Sequence, residues 1–339
     1  MTGRHHIAIT GASGFLGGAL LNALPPEANI RLLSRRTWDV GTGQKHVKVV
    51  LGDLEDDAAL VRLVEGVDTV VHCAAYMGKR DLRASCRINV DGTARLARAA
   101  ARAGVDHFIY VSSISVFGAT RTTDGFIYEK TIPERLDRLN PYARTKYQGE
   151  TEVRRIGREL GLGYTIVRPT NVYGPRSRPW FEQYASLLRR IPVAFGRLLV
   201  DIVYVDDVVD GLLRAVARSP RGEVFHFGHE LVPLCRFMSE VGRVIGLEPH
   251  TLPRSLDRAV RLAIDWSYRL ATRTEMSMSL VRELSYPHVQ AFLELGYDPR
   301  VRLAEGFRKI ATAYRAPGVW ASNRGGPVSG LGYGDAHSR

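Results

Sequence analysis

The segment TGASGFLG at Thr10–Gly17 decides the predicted fold of this chain. It follows an apolar stretch, Ile7–Thr10, that predicts a strand, and it opens a predicted helix at Phe15–Leu24. Glycines three apart allow a tight turn, a close backbone approach to a pyrophosphate and close packing of helix on strand. The helix N-terminus adds free N–H groups and a positive dipole end. We therefore predict a dinucleotide site rather than a purely structural turn, with contacts from Gly11, Ser13, Gly14, Phe15, Leu16 and Gly17.

Strand and helix patterns alternate from this segment to about residue 170. The predicted strands are Ile7–Thr10, Ile30–Leu33, Val47–Leu51, Thr69–Cys73, His107–Ser112 and Tyr164–Arg168. The predicted helices are Phe15–Leu24, Asp56–Glu65, Val90–Ala103 and Pro141–Leu160. This alternation predicts the α/β class, as a Rossmann doubly wound parallel sheet with right-handed crossovers.

The second half of the chain is less regular. It has an apolar stretch at Ile202–Val205, a short strand at Val224–Phe227, and helical spacing at Asp206–Ala217, Leu234–Ile245, Leu256–Leu270 and Val301–Tyr314. We predict a dinucleotide-binding domain at 1–170 plus about 203–228. A smaller, mostly helical substrate-binding region would take about 171–202 and 229–316, and a flexible tail rich in Gly, Ser and Pro would take 317–339.

Charge is the unusual feature of the composition. The 339 residues are 45% hydrophobic and 24% charged, which is ordinary for a globular protein, but the net charge is +12. Only six of the 47 basic residues are lysines, and no run of five basic residues occurs. The densest patches are bare pairs of arginines, so we predict solvated basic faces and no nucleic-acid binding.

The number of cysteines and the hydropathy of the sequence indicate the cellular compartment. Cys73, Cys86 and Cys235 are too few and too scattered for a disulfide framework, and no spacing indicates a metal site. No leader-like segment precedes the first strand, and no apolar run approaches the ~20 residues of a membrane span. We expect a reduced, cytoplasmic protein.

The end of the second predicted strand bears on the cofactor. NAD sites usually place an acidic residue there, whereas arginine suits a ribose 2′-phosphate. This chain has Ser34, Arg35 and Arg36 with no acid, so we predict NADP(H) over NAD(H), unless the arginines simply face solvent. Asp53, after the third strand, would accept a hydrogen bond from the adenine amino group, or would cap a helix.

Tyr142 and Lys146 lie four residues apart on a predicted helix and therefore share a face. Tyrosine has a pKa near 10, and a neighbouring ammonium favours the phenolate, which would make Tyr142 a general acid/base. The pair follows Asn140-Pro141, a helix-start signal. Ser113 ends a strand upstream and would hydrogen-bond a substrate carbonyl or hydroxyl.

Together these residues resemble the extended short-chain dehydrogenase/reductases, over about residues 5–315. The matching segments, in family order, are TGASGFLG at Thr10–Gly17, GDL at Gly52–Leu54, HCAA at His72–Ala75, NVDGT at Asn89–Thr93, VSSISVFG at Val111–Gly118, PYARTK at Pro141–Lys146, RPTNVYGP at Arg168–Pro175, VYVDDV at Val203–Val208 and LGYDPR at Leu295–Arg300, followed by EG at Glu305–Gly306.

The resemblance implies roles for particular residues. Tyr142 would be the acid/base, Lys146 would bind the nicotinamide ribose and tune Tyr142, and Ser113 would orient the substrate. Other residues would line the cofactor, namely Asp53, Leu54, Ala74, Ala75, Pro169 and Thr170. Asn171 would lie near the substrate, and Asn89 would support the site or serve structure alone. A homodimer through Val90–Ala103 and Pro141–Leu160 is also implied.

Departures from the family pattern narrow the predicted function. Ile114 and Ser115 stand where nucleotide-sugar dehydratases carry an acidic pair. Val200 stands where many nucleotide-sugar epimerases carry a diphosphate-binding arginine, although Arg176, Arg178 or Arg197 could substitute.

The late segment Leu256–Ala271 is unusually apolar. It would form a lid for an apolar substrate, a membrane contact, or ordinary core. With LGYDPR it resembles the 3β-hydroxysteroid dehydrogenase-like branch. We therefore predict an NADP-dependent oxidoreductase that interconverts a ketone and a secondary alcohol on a small, largely apolar metabolite. A nucleotide-sugar epimerase or reductase and a non-enzymatic NADP-sensing regulator are the alternatives; regulators tend to lose the Tyr–Lys pair that this chain keeps.

Overall fold

The computed structural model describes residues 5–37, 46–77, 81–118, 120, 122–134, 136–272 and 284–315. The strands in these residues are β1 (His6–Thr10), β2 (Asn29–Ser34), β3 (Val47–Leu51), β4 (Thr69–His72), β5 (His107–Val111), β6 (Tyr164–Pro169), β7 (Asn171–Tyr173), β8 (Val193–Ala194), β9 (Leu199–Tyr204), β10 (Glu223–Phe227), β11 (Glu230–Pro233) and β12 (His250–Thr251). The helices are α1 (Phe15–Ala23), α2 (Asp57–Val64), α3 (Leu82–Cys86), α4 (Thr93–Arg102), α5 (Pro141–Leu160), α6 (Gln183–Arg190), α7 (Val205–Arg218), α8 (Leu234–Val244), α9 (Arg254–Thr272), α10 (Val289–Leu295) and α11 (Leu303–Arg315).

The main sheet confirms the predicted α/β class. Seven parallel strands lie in the order β10-β6-β5-β4-β1-β2-β3, with apolar side chains buried against helices on both faces. The order reverses between β1 and β4, because the chain leaves the β3 edge and returns on the other side of β1. In such sheets ligands bind beyond the carboxyl ends of the strands at this reversal, and the glycine turn after β1 lies there.

Local signals explain where the helices begin and end. Asn140 caps α5 by accepting a hydrogen bond from the Ala143 N–H (3.0 Å), and Gly161 ends the helix with φ of 73°. The predicted helix Val90–Ala103 begins earlier than expected. Asp81 caps α3, and a π-helical turn at Arg87–Gly92 joins α3 to α4, so the helical segment starts near residue 82.

The second half adds small sheets that the sequence patterns did not predict. Strand β9 lies between β7 and antiparallel β11, and β8 pairs with β12. These strands have two to six residues, too few for a clear period. The strands of the main sheet fall in 1–170 and 203–228, and the domain division itself stays a prediction. The predicted tail at 317–339 lies outside the described residues.

Two motifs from distant parts of the sequence meet at α7. The carboxylate of Asp207, from VYVDDV, accepts hydrogen bonds from the Arg300 and Val301 N–H groups, both at 3.0 Å. Glu230 on β11 accepts another from the Leu303 N–H at 2.8 Å. These bonds fix the start of α11, so VYVDDV packs α7 against the chain that leads into α11.

Helix α9 corrects one alternative for the late segment. Ala259, Leu262, Ala263 and Trp266 are exposed, so these four residues are not core. No described helix is long and apolar enough to cross a membrane. The homodimer through α4 and α5 stays a prediction.

Candidate active site

The glycine turn packs too closely for side chains. Gly11 has a φ of 75°, and a Cβ there would lie 2.7 Å from the Ala74 nitrogen on the strand–loop junction after β4. A Cβ on Gly17 would lie 2.3 Å from the Gly11 carbonyl oxygen. The first glycine therefore holds the turn against β4, and the third lets α1 approach the turn, as the sequence argument required.

The N-terminus of α1 is open to an anion. Gly14 is its cap residue and supplies no side-chain hydrogen bond, and the first turn contains no acidic residue. Ser13 and Gly14 are exposed, while Phe15 and Leu16 are half-buried behind them. Unsatisfied N–H groups at a helix N-terminus favour phosphate, so these residues fit a dinucleotide pyrophosphate.

The carboxyl end of β2 lies beside this turn, since Thr10 and Leu33 are paired in the sheet. Ser34 donates to the Arg36 carbonyl oxygen (2.8 Å), and Arg35 and Arg36 are exposed. Two exposed guanidinium groups therefore lie at the carboxyl end of β2, beside the glycine turn.

Asp53 and Leu54 follow β3. Asp53 is exposed and accepts from the Glu55 N–H at 2.8 Å. The cap of α2 is Asp56, which accepts from the Ala59 N–H at 2.9 Å. The helix-cap alternative is therefore wrong for Asp53. Leu54 is buried and packs against Gly92, and its contact with the cofactor stays a prediction.

The structure brings Ser113 and Tyr142 together. Ser113 follows β5 and Tyr142 is the second residue of α5, and the Ser113 hydroxyl lies close enough to Tyr142 to lower the pKa of its phenol. The Ser113 Oγ also accepts from the Ser115 N–H at 3.1 Å. A tight turn at Ile114–Phe117 thus holds the Ser113 hydroxyl, so two O–H groups converge at the carboxyl end of β5.

Lys146 lies one turn after Tyr142 and is 2% exposed. Its Nζ is 4.3 Å from the centre of the Tyr110 ring. Burial lowers the pKa of Lys146 to about 8, against the opposing influence of Cys73 and Glu150. A buried cation of this kind is a strong local charge.

Burial is the main influence on the Tyr142 hydroxyl. Burial raises the pKa of Tyr142 to about 12, and the nearby Ser113 hydroxyl lowers it only in part. Desolvation of the phenolate is the largest influence on this pKa, and the lowering by Lys146 stays a prediction. At neutral pH Tyr142 is a phenol with a proton to give.

A buried ion pair lies beneath these residues. Arg168, on β6, donates from Nε to Glu150 Oε1 (2.9 Å) and from Nη2 to Oε2 (2.6 Å), and the two side chains are 3% and 1% exposed. Ser112 donates to the same carboxylate at 2.6 Å. Glu150 follows Lys146 by four residues on α5, so helical spacing was the signal that could have found it.

Asn89 has a supporting role. Its Oδ1 accepts from the Tyr76 N–H (2.7 Å), and its Nδ2 donates to the Tyr76 carbonyl (2.9 Å) and to Thr145 Oγ1 (3.0 Å). Asn89 therefore ties the loop that follows Ala74 and Ala75 to helix α5. Both alanines are half-buried, and the Ala74 N–H donates to Thr10 Oγ1 at 3.3 Å.

The residues after β6 surround Asp201. Pro169 and Thr170 are buried, and Asn171 Nδ2 donates to the Asp201 carbonyl at 2.7 Å. Burial raises the pKa of the Asp201 carboxyl to about 7, although the Tyr286 N–H, the Thr170 hydroxyl and the His229 N–H oppose it. The Asn171 amide is thus committed to β9, which leaves its oxygen for another partner.

Val200 and Ile114 bring no charge to the site. Val200 is 1% exposed within β9, Ile114 is buried, and both side chains are apolar.

Across the part of the chain that the structure describes, no three His, Cys, Asp or Glu side chains are grouped so as to hold a metal ion.

Comparison with known proteins agrees with this geometry. The chain is 30% identical over 335 residues to the ceramide reductase of Caulobacter vibrioides, covering 94% of this chain and 96% of that protein. It is 28% identical to the UDP-glucose 4-epimerase of Mycolicibacterium smegmatis, covering 91% and 97%. The solved structure of MoeE5 in complex with UDP-glucose and NAD is 27% identical, with a TM-score of 0.70 and coverage of 91% and 97%.

The model of the NAD dependent epimerase/dehydratase family matches residues 7–228, which include the glycine turn, Ser113, Tyr142 and Lys146. The chain belongs to this family, and it is a nicotinamide-dependent enzyme of the extended short-chain dehydrogenase/reductases.

Proposed function

We propose that this enzyme interconverts a ketone and a secondary alcohol with NADP(H), on a small and largely apolar substrate. The observation that carries the proposal is the proximity of the Ser113 hydroxyl to the Tyr142 phenol, one helical turn before the buried Lys146. A phenol and a hydroxyl that lie near each other are suited to a substrate oxygen that gains or loses a proton.

The protein's own residues account for the proton. When bound, NADPH supplies the hydride. Ser113 would donate a hydrogen bond to the substrate carbonyl, and Tyr142, protonated at neutral pH, would give its proton to the same oxygen as negative charge develops there. Lys146 would hold the ribose, and its positive charge would favour the phenolate that Tyr142 becomes.

Three observations favour a reductase of apolar substrates over a nucleotide-sugar enzyme. Ile114 and Ser115 supply no acid for dehydration, and Val200 is buried, so it cannot bind a diphosphate. The ceramide reductase relative acts on a lipid by its name. The nucleotide-sugar alternative is supported by the epimerase relative, and the regulator alternative is disfavoured by the retained pair of Tyr142 and Lys146.

The test is the stoichiometry of NADPH use. The enzyme is assayed with a panel of long-chain and polycyclic ketones and with UDP-glucose. We expect one NADPH oxidised for each ketone reduced. Conversion of UDP-glucose without net NADPH oxidation would establish the epimerase alternative instead, and cofactor binding without any turnover would establish the regulator.

A double substitution tests the proposed preference for NADP(H). Arg35→Ala combined with Arg36→Ala removes the groups proposed to bind the 2′-phosphate. Because a charge-assisted hydrogen bond contributes about 1.5–3 kcal/mol, NADPH affinity should fall at least roughly tenfold, while NADH affinity stays unchanged. Fluorescence titration measures both affinities, with Arg102→Ala, an exposed arginine on α4, as the control. Tighter binding of NADH than NADPH by the unaltered enzyme would contradict the prediction.

The pH dependence of ketone reduction should follow the charge on Lys146. Because burial lowers the pKa of Lys146 to about 8, its charge is present below this pH and is lost as pH rises through it. We expect kcat/KM for ketone reduction to fall above pH 8. In Lys146→Arg the guanidinium stays charged, so any residual activity should lack this limb. A flat profile through roughly pH 9.5 in the unaltered enzyme would contradict the prediction.

A further inference from the structure

Helix α9 carries an exposed apolar face. Leu256, Leu262 and Trp266 are 50%, 57% and 66% exposed, and Ala259 and Ala263 between them are exposed as well. We call these five residues the α9 face. A tryptophan and two leucines held in water on one helix are costly unless another phase or molecule covers them.

Basic residues lie next to this face, on the first two turns of α9. Arg254, Arg258, Leu262 and Trp266 recur every four residues, so they form one ridge along the surface of α9. Arg254 and Arg258 are exposed on the first two turns, and the apolar residues follow. The ridge is therefore basic at one end and apolar at the other.

A cavity beside the basic end adds more positive charge. It has a volume of about 640 Å³, and four arginines line it: Arg197, Arg236, Arg243 and Arg254. We call it the arginine cavity. Arg243 pairs with Glu240 (2.6 Å), and Arg197 donates to the Leu252 carbonyl at 2.9 Å. Arg236, Arg254 and Arg258 form no ion pair within the described ranges.

We propose that the α9 face and the arginine cavity dock on an anionic lipid bilayer. Leucine and tryptophan side chains enter the boundary between headgroups and acyl chains, and flanking arginines bind lipid phosphates. Charge complementarity selects this occupant, because the net charge is +12 and, although Glu240 also lines the cavity and pairs with Arg243, Arg236 and Arg254 have no ion pair among the described residues. A second copy of the chain would bring these arginines against one another, which is unfavourable.

The experiment is flotation of the full-length, NADP-bound protein with vesicles of phosphatidylcholine alone or with added phosphatidylglycerol. We expect binding to the anionic vesicles at least tenfold tighter than to the neutral ones. Leu262→Ser combined with Trp266→Ser should weaken it by at least tenfold, because the inserted apolar area is lost. Arg236→Ala combined with Arg254→Ala should also weaken it, by about fivefold for each arginine.

Matched controls keep the test specific. Arg102→Ala combined with Arg158→Ala lowers the net charge equally at two exposed arginines on α4 and α5, and Leu293→Ser removes an exposed leucine from α10. Both should bind within twofold of the unaltered protein. Equal losses in these controls would overturn the proposal in favour of non-specific attraction.

Two further results would also overturn it. In the first, inorganic phosphate binds the arginine cavity but anionic vesicles do not bind the protein, which would make the cavity a site for a free anion. In the second, Leu262→Ser with Trp266→Ser changes the mass measured by light scattering, which would make the α9 face an interface between copies. Neither result would bear on ketone reduction, which is measured separately.

Discussion

Tyr142→Phe should lower kcat for ketone reduction by roughly 10²–10⁴-fold, the range typical for loss of a general acid. The substitution removes only the hydroxyl that lies near Ser113 and keeps the ring that fills its place on α5. Cofactor affinity should therefore stay close to that of the unaltered enzyme. Steady-state kinetics and NADPH fluorescence measure the two quantities on the same preparation.

Tyr147 provides the matched control on the same helix. It is also half-buried, and it lies outside the Ser113, Tyr142 and Lys146 arrangement. Tyr147→Phe should keep kcat within about threefold, since it touches no proposed proton donor. A Tyr142→Phe enzyme that retained full turnover would remove Tyr142 from its proposed role.

Arg168→Met should lower the free energy of unfolding by about 3–5 kcal/mol at neutral pH. The substitution leaves the Glu150 carboxylate buried without its two-pronged partner, and Ser112 alone cannot replace those hydrogen bonds. Chemical denaturation measures the loss. Glu150→Gln should be strongly destabilising for the converse reason, because it leaves a buried guanidinium uncompensated.

A solvent-exposed ion pair on α7 provides the control for Arg168→Met. Arg214 on α7 pairs with Asp210 at 2.6 Å, but the two side chains are 38% and 49% exposed. Arg214→Met should therefore cost about 1 kcal/mol or less, since water already screens that pair. Equal costs for Arg168→Met and Arg214→Met would show that burial does not govern the Glu150 pair.

The fold was largely predictable because it rests on local patterns. The strand before Gly11, the alternation that follows, and the caps Asn140-Pro141 and Gly161 are each written within a few residues. The start of the helical segment at Leu82 was missed, because its cap, Asp81, lies in a polar stretch without clear periodicity. The short strands β7, β8, β11 and β12 depend on pairing partners far along the chain.

The site was predictable where residue type and spacing coincide, as with Tyr142 and Lys146. The rise in the Tyr142 pKa was not predictable, because it depends on how deeply the side chain is buried. A sequence pattern does not show the depth of burial. The contacts of Asn89 with Tyr76 and Thr145, and of Arg168 with Glu150, join elements that only the folded chain brings together.

The route of the chain between β6 and β10 also bears on how the molecule folds. The two strands are paired neighbours, yet residues 170–222 separate them and build β7, β8, β9 and two helices before the chain returns. Closing so long a loop costs conformational entropy, and this entropy is lost before the favourable contacts between β6 and β10 form. We expect β10 to join the sheet late in folding, after β1, β4 and β5 have formed its centre.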